Sequence, residues 1–194
     1  SYLEPSAISE IEKAFEGIEG NFLLYAGYEK GDFCYYRPDR FSEEHMGYLA
    51  HLQTREKELA RPISSFEGLG SSPLIKCFGS KEEMKKLSQK LKLSNQLQVS
   101  SVKDPFEPEF QLLLVTAYGV SKGDALREVM HLEGRGDLVI AAGDDENDES
   151  LLREADRKIV MPSAPSDLKK MADLIAPPVE QNGIIQALKE VLAD

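Results

Sequence analysis

An ammonium and a crowd of carboxylates mark the one stretch of this chain whose chemistry can be read directly. Lys122 sits in Gly119-Val-Ser121-Lys122-Gly123-Asp124, and further on the chain reads Asp137-Leu-Val-Ile-Ala-Ala-Gly143-Asp144-Asp145-Glu146-Asn147-Asp148. Residues 137–142 are apolar on both faces, the pattern of a buried parallel strand. Ligands of such sheets bind beyond the carboxyl ends of the strands, which is where Asp144 falls. A carboxylate there can give Mg²⁺ one hard oxygen ligand, the rest of the shell being waters and phosphate oxygens. Asn147 and Asp148 come at the start of the next helix, where free backbone N–H groups favour an anion.

Acids at a helix start also complement its dipole, by about 0.3–1 kcal/mol each. That accounts for one or two, and less well for five acids crowded into 144–149. The loop is not an EF-hand, because it has no glycine at the sixth position and no spaced series of oxygen ligands. Ser121 reads as an N-cap with Asp124 three residues on, which puts Lys122 in the first turn of a helix. A cation opposes the dipole there; a phosphate held nearby would reverse that cost.

The elements that must position these groups follow from periodicity. Ile8, Ile11, Phe15 and Ile18 share one side of a helix. Residues 21–28 and 32–37 are β-rich around Glu29-Lys30-Gly31 and read as a hairpin. A helix is expected from Ser42 to about Leu59, loop chemistry over 61–73, and a strand over 74–78. Ser80 with Glu83 reads as a capping box for a helix to about Leu91, and 96–101 with 110–116 form a strand pair. The expected order from 21 to 116 is ββαβαββ, a compact α+β module. Beyond Tyr118 helices and strands alternate: helix 121–132, strand 137–142, helix 147–155, strand 158–161, helix 166–171, strand 173–175 and a last helix from Gly183. That order predicts a parallel sheet with helices on both faces.

With 41% hydrophobic and 29% charged residues in 194, the chain can bury a real core. A net charge of −11 without a basic stripe argues against nucleic acid. No apolar run is long enough to cross a bilayer, and the first residues show no signal-peptide pattern, so the expectation is a cytosolic chain or one from which an earlier segment has been removed. Cys34 and Cys77 form no disulfide framework and are expected to be buried thiols in a reducing, cytoplasmic setting. His45, His51 and His131 are expected on solvated helix faces, with no zinc spacing. Tyr25, Tyr28, Tyr35 and Tyr36 are expected to pack on the sheet.

The Lys122 segment followed by Gly143-Asp144-Asp-Glu-Asn147-Asp148 resembles the haloacid dehalogenase superfamily. More narrowly it is similar to the Cof-like and sucrose-phosphatase-like branch with a type IIB cap. Ile159-Val-Met161, Lys170-Met-Ala172-Asp173 and Asn182-Gly183 fit the same pattern. The resemblance implies an α/β fold: a partial Rossmann-like core, its parallel sheet flanked by helices, and an α+β cap with a mainly antiparallel sheet. It places residues 1–20 in a linker or helix of the core, 21–116 in the cap and 117–194 in the C-terminal half of the core.

It further implies a phosphohydrolase of small phosphorylated metabolites such as sugar phosphates, working with Mg²⁺ through an aspartyl-phosphate. Lys122 would neutralise the transferring phosphoryl oxygens, Asn147 would touch phosphate, Asp144 would ligate the metal, and Asp148 would orient metal-bound water or the lysine. Arg37 and Arg40 could read the substrate. The family's nucleophile motif, a strand ending Asp-x-Asp-Gly-Thr, occurs nowhere in the sequence, and Pro162-Ser163 replaces a small Gly/Asn pair. The expectation is therefore that a missing N-terminal segment or a partner chain completes the core. This chain alone would then be inactive, its strand 137–142 left with an open edge. The alternative is a non-catalytic remnant or protein-interaction module of the same fold.

Overall fold

A computed structural model describes residues 1–55, 57–104, 107–136 and 138–193. They fall into two units, Ser1–Tyr118 and Gly119–Asp194.

The first unit begins with helix α1 (Pro5–Ala14). Proline's fixed φ and missing N–H suit a first helical position. Strands β1 (Gly20–Tyr25) and β2 (Cys34–Tyr36) pair antiparallel, as the hairpin reading required. Then come α2 (Glu43–Arg55), β3 (Ala60–Pro62), β4 (Ile75–Ser80), α3 (Lys81–Leu91), β5 (Leu97–Lys103) and β6 (Phe110–Ala117). The sheet order is β3-β2-β1-β4-β6-β5, antiparallel except where β3 runs parallel to β2.

Strand periodicity divides the core. On one face Phe22, Leu24, Ile75, Cys77, Leu113 and Val115 pack with Ile8 and Ile11 of α1 and Met84 and Leu87 of α3. On the other, Leu23, Cys34, Phe78 and Leu112 pack with Tyr48, Leu49 and Leu52 of α2. Both cysteines are buried free thiols. Burial pushes the Cys34 thiol up to about 11, partly offset by Lys76, and raises Cys77 further.

Several expectations change here. Helix α1 belongs to this first unit rather than to the core expected for residues 1–20, because its apolar stripe is buried on the larger sheet. Strand β3 lies where loop chemistry was expected; its pairing with β2 is non-local, and Pro62 is tolerated at a sheet edge. Helix α2 ends at Arg55. Ser80 does cap α3, but the Glu83 carboxylate accepts the backbone N–H of Glu19 at 3.0 Å instead of closing a box. Tyr28 is exposed. His45 is half-buried against the rings of Phe41, Phe78 and Phe110.

The second unit runs α4 (Lys122–Glu133), β7 (Ile140–Gly143), α5 (Glu149–Glu154), β8 (Arg157–Val160), α6 (Ser166–Lys169), β9 (Leu174–Ile175) and α7 (Gly183–Val191). The sheet β7-β8-β9 is parallel. Ala141 and Val160 pack under Leu152 of α5 and Leu168 of α6, while Ile159 meets Ala187 and Val191 of α7 from the opposite face. Helices therefore flank both faces, as the alternation required. Strand β7 is shorter than expected and is not buried throughout. It starts at Ile140, opposite Arg157; Ala142 is exposed, and among the described residues β8 is its only partner. Asp137, expected to open that strand, lies outside the described residues. Among the described residues no helix is long and apolar enough to cross a membrane.

Candidate functional site

The acidic turn begins where β7 ends. Gly143 closes the strand, Asp145 caps a 3₁₀ turn over Glu146–Asp148, and α5 follows directly. In the capping box the Asp148 side chain reaches back to the cap residue's backbone. Its Oδ2 accepts the N–H groups of Asp144 at 2.9 Å and Asp145 at 3.3 Å. Its Oδ1 accepts from the Lys122 ammonium at 2.5 Å. One carboxylate therefore joins the helix that carries Lys122 to the strand end that carries Asp144.

Asp148 is 4% exposed. Burial raises its pKa, but the hydrogen bonds from Lys122 and from the Asp144 and Asp145 N–H groups outweigh burial and hold it below the usual carboxylate range. It is an anion at neutral pH. Gly143 makes room for it, since a Cβ there would stand 2.5 Å from the Asp148 Cβ.

Lys122 opens α4, with Ser121 as N-cap accepting from the Asp124 N–H at 3.1 Å, as its sequence suggested. The rest of α4 is thinly packed. Gly123 is its only buried residue, and Val129 and Leu132 are exposed. The helix is held at its first turn, where the Gly123 N–H donates to Ser150 Oγ of α5 at 3.2 Å, and further along by Arg127, which pairs with both Asp124 and Glu154. Gly123 lies inside the quoted lysine motif and Ser150 two residues beyond the acidic turn, yet periodicity gave them no role. The signal available was a glycine beside the lysine in a helix, where glycine is costly unless close packing requires it.

Asp144 is exposed at the strand end and Asn147 is half-buried in the turn. Of the acids, Asp148 is spent on Lys122 and two N–H groups, and Asp145 on capping. Asp144 and Glu146 are both exposed carboxylates of the turn; of the two, Asp144 stands next to the strand end, and one oxygen is the number Mg²⁺ commonly takes from a protein beside substrate phosphates. Among the described residues no three His, Cys, Asp or Glu side chains converge on a metal position. The donor set fits part of a magnesium shell.

Arg37 and Arg40 belong to the first unit and come together through Asp39. Arg37 donates to Asp39 at 3.0 Å and to Glu12 at 3.1 Å, and the Arg40 Nε lies 3.7 Å from Asp39. Asp39, then Glu12, hold the Arg37 guanidinium charged against the effect of burial. Both arginines line a cavity of about 220 Å³ with Phe15, Phe22 and Phe66.

The family profile described as haloacid dehalogenase-like hydrolase matches residues 1–188. Phosphoglycolate phosphatase 2 of Saccharolobus solfataricus is 31% identical over 80 residues, covering 41% of this chain and 34% of that enzyme. The chain thus spans about a third of this curated relative in the match. A solved structure from Streptococcus mutans UA159 superposes with a TM-score of 0.77 at 18% identity, covering all of this chain and 70% of that one. The structure of a haloacid dehalogenase subclass IIB sugar phosphatase gives 0.72 at 20% identity, covering 98% and 68%. At these identities the likeness to the solved structures is one of fold.

Proposed function

The chain belongs to the haloacid dehalogenase-like hydrolases, and from that membership we propose that it supplies the lysine and acidic-turn half of a Mg²⁺-dependent phosphohydrolase of small phosphorylated metabolites. The observation that carries the reading is the Asp148 carboxylate, shared between the Lys122 ammonium and the backbone at the end of β7. The phosphatase names of the relatives support the substrate class, and a type IIB role for the first unit accords with its antiparallel sheet. A reducing, cytoplasmic setting suits the two buried thiols.

Each residue then has a physical task. Lys122 is half exposed, so its remaining N–H donors can reach phosphoryl oxygens and offset charge there. Asp148 keeps that ammonium in place. The Asn147 amide can donate to a phosphate oxygen from the turn. Asp144 would hold the magnesium ion, which when bound supplies a second positive charge against the phosphoryl group. Among the described residues Asp148 is the acid that meets Lys122, and we assign the attacking aspartate to a further segment or a partner chain. Arg37 and Arg40 are the candidates for reading the rest of the substrate.

Calorimetric titration with orthovanadate tests the site. The parent chain with Mg²⁺ is expected to bind it. Lys122→Ala should weaken binding by about tenfold or more, the loss of one charge-assisted hydrogen bond, and Asp144→Ala should abolish the dependence on Mg²⁺. A parent chain that does not bind vanadate overturns the reading. Turnover of para-nitrophenyl phosphate by the parent chain, lost in Asp144→Ala, would refute the assignment of the nucleophile elsewhere.

A further inference from the structure

Helix α4 has to present Lys122 to a phosphoryl group, yet none of its apolar side chains is fully buried. Apart from Gly123 its residues are exposed or half-exposed. The lysine itself is a flexible stem, half exposed, whose tip is free to wander unless its base is fixed. Two rungs fix it, on adjacent stretches of the same two segments. One is the Lys122–Asp148 ion pair. The other lies one residue on in α4 and two residues on in α5, where Ser150 Oγ accepts the Gly123 N–H.

That N–H is one of the donors every helix leaves unpaired at its start. The cap residue Ser121 has already accepted from Asp124, so Ser150 acts as a cap supplied by another helix. The two backbones touch at this rung. A Cβ on Gly123 would stand 2.4 Å from the Ser150 carbonyl oxygen, so the glycine is there to permit the approach.

We propose that Ser150 is a positioning residue of the phosphoryl site: by capping Gly123 it sets where Lys122 stands against Asp148. The proposal rests on the reading of Lys122 as the phosphoryl-neutralising group, but its geometry can be tested without turnover. The hydroxyl takes no part in chemistry and acts through the lysine.

The experiment is reductive methylation of the full chain, with each lysine's rate followed by peptide mass spectrometry. An ammonium held by a carboxylate reacts slowly. Ser150→Ala is expected to raise the rate at Lys122 by about 2–10-fold, the worth of one ordinary hydrogen bond, while Lys158, Lys170 and Lys189 keep their parent rates. Ser150→Thr, which retains the acceptor oxygen, should restore the parent rate at Lys122. The proposal is overturned if Lys122 reacts in Ser150→Ala as it does in the parent. It is equally overturned if the other lysines accelerate with it, or if the threonine variant behaves like the alanine one. Because nothing here depends on catalysis, a negative result leaves the vanadate-binding test standing, and failure of vanadate binding leaves the labelling result standing.

Discussion

Phe78, in the middle of the larger sheet, and Ala141, on the edge strand β7 of the smaller one, show how differently the two units are held. Phe78 is fully buried among the rings of Phe41, His45, Tyr48 and Phe110. Around it the larger sheet buries long side chains on both faces. Ala141 meets Leu152 and Val160, but much of its surroundings is alanine: Ala155 and Ala164 on its face, Ala176 and Ala187 beyond the sheet. The second unit also exposes Ile185 of α7 and Leu192 just after it, and leaves β7 with a single neighbour among the described residues. Yet this is the unit that carries the candidate site. Its local geometry depends on the close approach of the Ser150 backbone to Gly123 and of the Asp148 side chain to Gly143 and on shared carboxylates, where the first unit depends on apolar area.

Substitutions can break that contrast or sharpen it, read by urea denaturation with peptide-resolved hydrogen exchange. Phe78→Ala should have the largest effect, destabilising the first unit by about 3–5 kcal/mol while peptides of 119–193 keep their midpoint. If both units shift together, they unfold as one and the contrast fails. Gly143→Ala comes next. Overpacking against Asp148 should cost the second unit about 1–3 kcal/mol, with vanadate binding lost in parallel. Retention of binding would show that the site does not need that close approach.

Ser80→Ala removes the cap of α3 and should cost the first unit about 1 kcal/mol, with no change in the second. The smallest change has the opposite sign. Gly47 lies in α2 with open space where a Cβ would go, so Gly47→Ala should stabilise the first unit by about 0.4–1 kcal/mol. Gains there and losses at 143 from the same chemical change would be the sharpest form of the comparison.

The units should also differ in acid. Burial lowers the His45 pKa, only partly offset by Glu44. Its contribution to stability is complete above the unfolded value of about 6.5 and is lost as pH falls through the lower folded value. Asp148 behaves alike in sign but far lower in pH: its contribution is complete above about 3.9 and is lost only below that. Between pH 7 and 5 the first unit should therefore weaken through His45, and His45→Gln should flatten that slope. An unchanged slope would assign the effect to other groups.

The Ser80 and Ser121 caps, the β1–β2 hairpin and the alternation after Tyr118 were legible because each depends on contacts a few residues apart. The Lys122 and Gly143–Asp148 segments were legible for a related reason, since a chemical task restricts the residue types that can perform it. Strand β3, the partner of Glu83, the burial of His45 and the home of α1 were not legible. Each is fixed by a residue distant in sequence: Cys34–Tyr36 for β3, Glu19 for Glu83, Phe78 and Phe110 for His45, and the larger sheet for α1.

By itself the sequence determined which groups could do chemistry and which elements would bear them, because side-chain type and short-range periodicity are local properties. Only the tertiary structure decided that the carboxylate of Asp148 is the meeting point of Lys122 and the Asp144 backbone, and that Ser150 caps the helix of the lysine. Hydrogen bonds act over about 3 Å, and nothing in the order of residues says which distant atoms folding will bring that close.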